Sequence, residues 1–483
     1  YISGMCRGDV EFAGGATIKG RGGMDAVIVK YDAELNFLWA RAVGGSKDDT
    51  FERIAVTSAG DIVAVGKISG DVTIDGTEQT LSGTQSTDGC IVVYDKDGNY
   101  KSSAQIKAAG ASLCYSVAVD KSDNIFVTGS TVGATDFGNE KTVTIEGSNP
   151  GTFLACYNNS LVCQWAIAGS SPVQSYGWAV NFDKEENILL TGRFGTTFTI
   201  TGTDGEALTT AVGSESSQDT YVAKLSHEGV GQWITYVTNS NRIDTRSIDS
   251  DSQGNVYIWG HCQSAVTPEG QSPLGFNGNF DSFLIKYSSA GAYLDGMNLG
   301  GSGRDEAKSL FVDADDNIYV AGNVNGDGSK GGTAVNMNPR GESKDYTFKG
   351  HDGYVAKYNG STWELMQLEK TVTPDNANQH EVAWCVTMSP DYNKVYVTGY
   401  FNNGATVFDG ASLTLPFVQD YDIYTVLYSY TLMVKTKTLE PGVANEPYYS
   451  NIVVDNVEGA VKFEIVSGTL PDGITLSKDG AFA

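Results

Sequence analysis

Six positions in this chain could do chemistry together. Glu52, Tyr115, Trp178, Arg246, Lys308 and Trp384 occupy one equivalent place in a repeating pattern, just before a short apolar run. The residue type changes from copy to copy: two indoles, a phenol, two cations and a carboxylate. Flat aromatic rings stack on sugar faces or peptide side chains at low entropic cost. Arg246 and Lys308 would supply charged hydrogen-bond donors. Three residues upstream of the ring positions, Asp49, Asp305 and Glu381 bring carboxylates that could orient hydroxyls or a cation. Trp178, Trp384, Tyr115, Arg246, Lys308, Asp305 and Glu381 are therefore the candidate ligand-binding residues, for a carbohydrate or a protein ligand. The plainer alternative is that they only solvate the place they share.

These residues must be positioned by the elements that repeat. Ser116 to Gly129 reads as two short apolar runs around a polar turn, with Asp120 and Asn124 bracketing the reversal. Asp and Asn suit that role because their side chains bond nearby backbone amides and tolerate left-handed geometry. Runs this short and this rich in β-branched residues form a tight hairpin. Its closing glycine recurs as Gly4, Gly66, Gly129, Gly192, Gly260, Gly322 and Gly399, at intervals of 62, 63, 63, 68, 62 and 77 residues. A period of this size decides the fold.

Each repeat carries four strand-like segments. The third is the most regular, as in Asp219 to Leu225, Asp281 to Tyr287 and Asp352 to Tyr358, and Gly151 to Tyr157 is the copy that lacks the Asp. Asp219, Asp281 and Asp352 are expected to be scaffold residues. The fourth segment carries Trp39, Trp165, Trp233 and Trp363, expected to pack between sheets. The second and third segments occur seven times and the first six times, its missing copy falling before Tyr1. Four-stranded sheets repeated radially make a β-propeller. The expectation is all-β: a seven-bladed propeller over residues 1–438, its first blade cut at the N-terminal end. The long connections between second and third segments, such as Lys67 to Thr87 and Arg193 to Gln218, are expected to elaborate one face and to carry function there, the plainer alternative being that they cover blade edges.

Gly44-Gly45, Asp49, Ile54-Ala55-Val56, Gly254-Asn255-Val256-Tyr257 and Asp352 to Tyr358 together resemble the bacterial SBBP-type β-propeller repeat. After Thr438 the register changes. Leu470-Pro471-Asp472-Gly473, then Leu476 and Gly480, resemble the cadherin/Ig-like modules of bacterial surface proteins. That implies a partial immunoglobulin-like β-sandwich over 439–483 and an extracellular or cell-surface location at the bacterial outer membrane.

Composition excludes some classes. Lys plus Arg is 32 against 58 Asp plus Glu, a formal net charge of −26. A nucleic-acid partner needs a basic footprint of the opposite scale. No apolar run reaches the length of a membrane span. The seven cysteines show no CxxC or zinc-ligand spacing, so free buried thiols are expected, with Cys156 and Cys163 the pair to test. HExxH, GxSxG and P-loop patterns are missing, so an enzyme is disfavoured. A polysaccharide lyase or glycoside hydrolase on this scaffold stays open, as does a structural subunit with an envelope-protein partner. No cofactor is expected, and calcium is a candidate only at Asp313-Ala314-Asp315-Asp316.

Overall fold

In the computed structural model, Ser112–Val119 and Ile125–Thr131 are antiparallel strands with Val117 opposite Val127 and Val119 opposite Ile125. The structure describes residues 1–12, 15–211, 218–325, 333–343, 345–348, 351–372, 380–389 and 394–402, with short pieces beyond. The described residues contain strands and no helix, so none of their helices could cross a membrane. Contacts divide the chain into two units, Tyr1–Thr387 with Val397–Val426, and Met388–Tyr396 with Leu427–Ala483. The repeated sheets lie in the first. In the second, Met433–Val434 pairs with Val454–Asp455, and Ser450–Asn451 with Ala481–Phe482. The immunoglobulin-like module expected over 439–483 lies almost wholly outside the described residues.

Among the described residues, five repeats are four-stranded antiparallel meanders, and the first and last show three strands each. Ser175–Phe182, Ile188–Phe194, Asp219–Leu225 and Gly231–Thr238 pair in that order, and the neighbouring repeats do the same. First strands of successive sheets pack against one another. The core lies between sheets. One cluster joins Phe126 and Leu154 of one repeat to Val180, Leu190 and Ala223 of the next. Third strands are buried along their length, which explains their continuous apolar runs. Trp39, Trp165 and Trp233 lie against Gly98, Gly229 and Gly291 in the turns of the following sheets. Trp363 differs: it sits in the turn before Leu365–Val372, at φ 59°.

The hairpin turns interlock. Asp120, Asp183, Asp251 and Asp313 each accept from the amides two and four residues on, and from an Asn side chain. The residue at the fourth turn position has φ near 60°, as at Asp123, Glu186 and Asp316. L-residues adopt that conformation at a penalty. Here the side chain gains a partner in the preceding turn: Ser58 bonds Asp123, Lys121 N bonds Glu186, and Ser252 bonds Asp316.

The third-strand aspartates serve the scaffold. Asn239 N donates to Asp219 Oδ1 at 3.1 Å, and Asn277 N to Asp281 Oδ2 at 2.6 Å. Asp281 also lies where a Cβ on Gly300 would fall, which accounts for the glycine in that turn. Asp281→Ala should lower stability by about 1–2 kcal/mol at pH 7, because Asn277 N loses its acceptor. A melt unchanged by the substitution would contradict that role.

Among the described residues, the long connections take the form of the plainer alternative. They are not free loops. Gly133–Asp136 and Thr142–Ile145 form a small hairpin that pairs with Lys107 and Ala108 of the preceding sheet. Thr197–Thr201 and Ala207–Ala211 do the same against Gly169 and Ser170, and Thr267–Pro268 pairs with Val237 and Thr238. Each covers the outer edge of a neighbouring sheet. An uncovered edge presents unpaired backbone groups that recruit other chains.

Candidate ligand-binding site

A β-bulge places the ring residues. The first strand of each repeat slips register at Glu52, Tyr115, Trp178, Arg246 and Lys308, leaving one extra residue against its partner strand. Bulges of this kind re-aim a side chain. The closing glycine makes the bulge fit. A Cβ added to Gly66, Gly129, Gly192, Gly260, Gly322 or Gly399 would strike the carbonyl oxygen of Thr50, Leu113, Tyr176, Asp244, Glu306 or Val382. In every case that carbonyl belongs to the residue two before the ring position. The recurrent glycine and the variable ring residue are thus two parts of one device.

The structure brings the ring residues together as two groups. In the first, the Trp178 ring lies 4.4 Å from Tyr115 and stacks on Tyr176 at 5.6 Å. The Arg246 guanidinium sits 5.3 Å from the Trp178 ring, and Arg193 sits 4.8 Å from Tyr176. In the second, the Lys308 ammonium lies 4.5 Å from the Trp384 ring. Trp384 is 46% exposed, an open aromatic face. Glu52 is exposed beside them, and Arg53 Nη2 donates to Arg246 O at 3.1 Å.

Two carboxylates hold the cations. Asp244, fully buried, faces Arg193 at 3.2 Å, Arg242 at 2.6 Å, Arg246 at 3.8 Å and His261 at 3.6 Å. Burial alone would raise its pKa, but His261 and the arginines hold it well below the usual carboxylate range. Glu306 pairs with Arg304 at 2.6 Å and Lys308 at 2.7 Å. Burial opposes its ionisation, yet Lys308 and His261 bring its pKa down to about 2. Burial also lowers the pKa of Lys308, Arg246 and His261.

Asp244, Glu306, Arg193, His261 and Tyr176 escape a reading based on the ring alone. A signal for them exists. Tyr176, Asp244 and Glu306 stand two residues before a ring position, and Arg193 and His261 directly follow a closing glycine.

Two candidate residues have other work. Asp305 is 1% exposed, and its oxygens accept from Gly301 N at 2.6 Å and Asn325 N at 3.1 Å. Asp49 holds Gly45 N and Ser69 N in the same way. Burial pushes the Asp305 carboxyl up to about 7. It fixes the turn into the first strand. Glu381 is equally buried and accepts from Thr371 Oγ1 at 3.4 Å. At the calcium candidate, Asp313 accepts from Asp315 N, Asn317 N and Asn317 Nδ2, while Asp316 is taken by Ser252. Those oxygens hold turns. Among the described residues no group of three or more His, Cys, Asp or Glu has metal-holding geometry. Cys156 and Cys163 are both free. Cys156 opposes Trp165 while Tyr157 opposes Cys163, and the thiols belong to cores on opposite faces of the sheet.

Comparison with known proteins supports the repeat. Residues 103–138 match the SBBP β-propeller repeat family. An uncharacterized WD repeat-containing protein of Acanthamoeba polyphaga mimivirus is 22% identical over 378 residues, covering 65% of this chain and 27% of its own. The chain thus spans about a quarter of that relative's length. A periplasmic gluconolactonase of Pseudomonas aeruginosa is similar with a TM-score of 0.41 and 10% identity, over 88% of this chain and 99% of that one. A protein of unknown function from Bacteroides caccae gives a TM-score of 0.32 and 12% identity, over 64% and 78%. Likeness at this level carries no functional argument. Residues 103–138 thus match a β-propeller repeat, and meander sheets of the same pattern recur along the described residues.

Proposed function

We propose that this chain is a non-enzymatic binding protein. It would form a seven-bladed propeller over residues 1–438, with an immunoglobulin-like module after it. It would act outside the cell or at the bacterial surface, presenting the mouth of its central channel to a ligand. The observation that carries this is the bulge device: a repeating scaffold projects, at one equivalent position, a side chain whose type varies from repeat to repeat. Scaffold positions repeat because packing repeats, and a ring that varies on it suits recognition.

One observation favours an enzyme, a lyase or hydrolase of polysaccharides. Asp244, His261 and Arg246 form a carboxylate–imidazole–guanidinium group. His261, however, is 2% exposed, with Nδ1 toward Ala307 O and Nε2 toward Asp244. A general base must reach the proton it removes. The binding role is preferred for that reason.

Trp178→Ala and Trp384→Ala should each weaken ligand binding by about 2 kcal/mol or more, as aromatic hot spots do. Trp384→Ala should leave the melt nearly unchanged, because its ring is the more exposed. Screening both variants on glycan arrays and in pull-downs, beside thermal melts, tests this. Full binding by the double variant would remove the site from the mouth.

A further inference from the structure

The strongest unexplained feature is the sign of the charge at the mouth. The chain carries a formal net charge of −26. Yet Arg193, Arg242, Arg246, Arg304 and Lys308 gather around only two carboxylates, Asp244 and Glu306. With Arg53 and the exposed Glu52 counted, six cations stand against three anions, a local surplus of three positive charges. Buried and partly buried cations are unfavourable unless paired. Several donors here also lack partners. The Nε atoms of Arg193, Arg242 and Arg246, and the indole Nε1 of Trp178, are buried and make no hydrogen bond among the described residues. Unpaired buried donors are rare in native proteins and call for an explanation.

We propose that the mouth binds an acidic oligosaccharide, one whose sugars carry carboxylates, as in a uronate. This rests on the binding function proposed above and names its ligand class. A uronate places a C–H face and a carboxylate on one six-membered ring. Trp384 offers an open indole face, and the Lys308 ammonium lies 4.5 Å from that ring. Lys308 is itself largely buried and paired with Glu306, so a sugar stacked on Trp384 would meet its charge beside the ring rather than bond it directly. The planar guanidinium of Arg246 suits a carboxylate on a following sugar, since its fork matches two oxygens. An acidic peptide fits less well. It would meet the same arginines, but it brings no C–H ring face to lie on the exposed Trp384 indole, and that face is what favours the sugar. The acidic remainder of the chain does not oppose this at physiological salt, where fields fade over about 8 Å.

Calorimetric titration of the full chain with an oligogalacturonate, its fully methyl-esterified form and a poly-glutamate peptide tests the proposal. Esterification removes the charge and keeps the sugar faces. The acid form should bind, and esterification should weaken it by about tenfold or more, the worth of one charge-assisted hydrogen bond. Lys308→Gln should weaken the acid form by a similar factor and leave the ester unaffected. Equal binding of acid and ester, both abolished by Trp384→Ala, would overturn the proposal while the mouth remained a binding site. Binding of poly-glutamate alone would overturn it in favour of a protein ligand. Binding of none of the three, with an unchanged melt, would overturn the proposal, and silence on the glycan array as well would overturn the binding function too.

Discussion

Gly192→Ala should destabilise the protein by about 3 kcal/mol or more, at the upper end of overpacking changes. The added methyl would fall within the van der Waals radius of the Tyr176 carbonyl oxygen and 2.8 Å from the Tyr221 hydroxyl. Neither can yield. The carbonyl belongs to the bulge that aims Trp178, and Tyr221 is fully buried between Phe198, stacked at 4.0 Å, and the first strand. Relief requires the bulge to open, which would also move Trp178 off Tyr115 and Arg246. Two readouts are therefore expected to change together: a lower denaturant midpoint and altered tryptophan fluorescence in the folded protein. Gly138→Ala is the control. Unlike Gly192 its φ is positive, at 84°, but nothing lies within 4 Å of an added methyl, so only the backbone preference is lost. That is about 1 kcal/mol. If the two variants melted alike, steric conflict at the bulge would not be the reason for the repeating glycine.

The same device marks how far the sequence speaks. The glycine period was legible because a backbone conflict tolerates no substitute, so it stamps every repeat. The ring position was legible by counting back from Asp120, a turn residue fixed by its own hydrogen bonds. The partners of the ring were not. Asp244 and Glu306 act through pairings with Arg193 and Arg304, and only the folded sheet shows that position 193 meets position 244. The long connections misled for a related reason. Their length suggests a functional loop, but the strand each one pairs with lies in the preceding sheet, some 25–35 residues away. Period-two alternation in Thr142 to Ile145 and Thr197 to Ile200 was the available hint. At Cys156 and Cys163 the turn spacing suggested proximity, and a one-residue slip in register sent the thiols to opposite faces.

Asp244→Asn should cost about 3 kcal/mol at pH 7, and the loss should shrink as the pH falls. Removing one member of a buried ion network leaves the others uncompensated, commonly at about 3–5 kcal/mol. The lower end applies here because Arg242 and Arg246 keep 43% and 29% of their side chains in solvent and can turn outward. Arg193, at 11%, cannot do so as readily. His261 adds little, since burial already favours its neutral form and the loss of Asp244 favours it further. The pH dependence follows from the depressed Asp244 carboxyl. A group depressed in the folded state adds stability above its unfolded pKa, about 3.9, and loses it as the pH drops toward the folded value. Wild-type stability should therefore fall below pH 4 more steeply than that of the variant, and the two curves should converge. Urea midpoints measured from pH 7 to pH 3 read this directly. Parallel curves would mean that Asp244 is not the anion holding these cations. The arginines would then depend on another counter-charge, and the surplus inferred at the mouth would be smaller than the geometry gives.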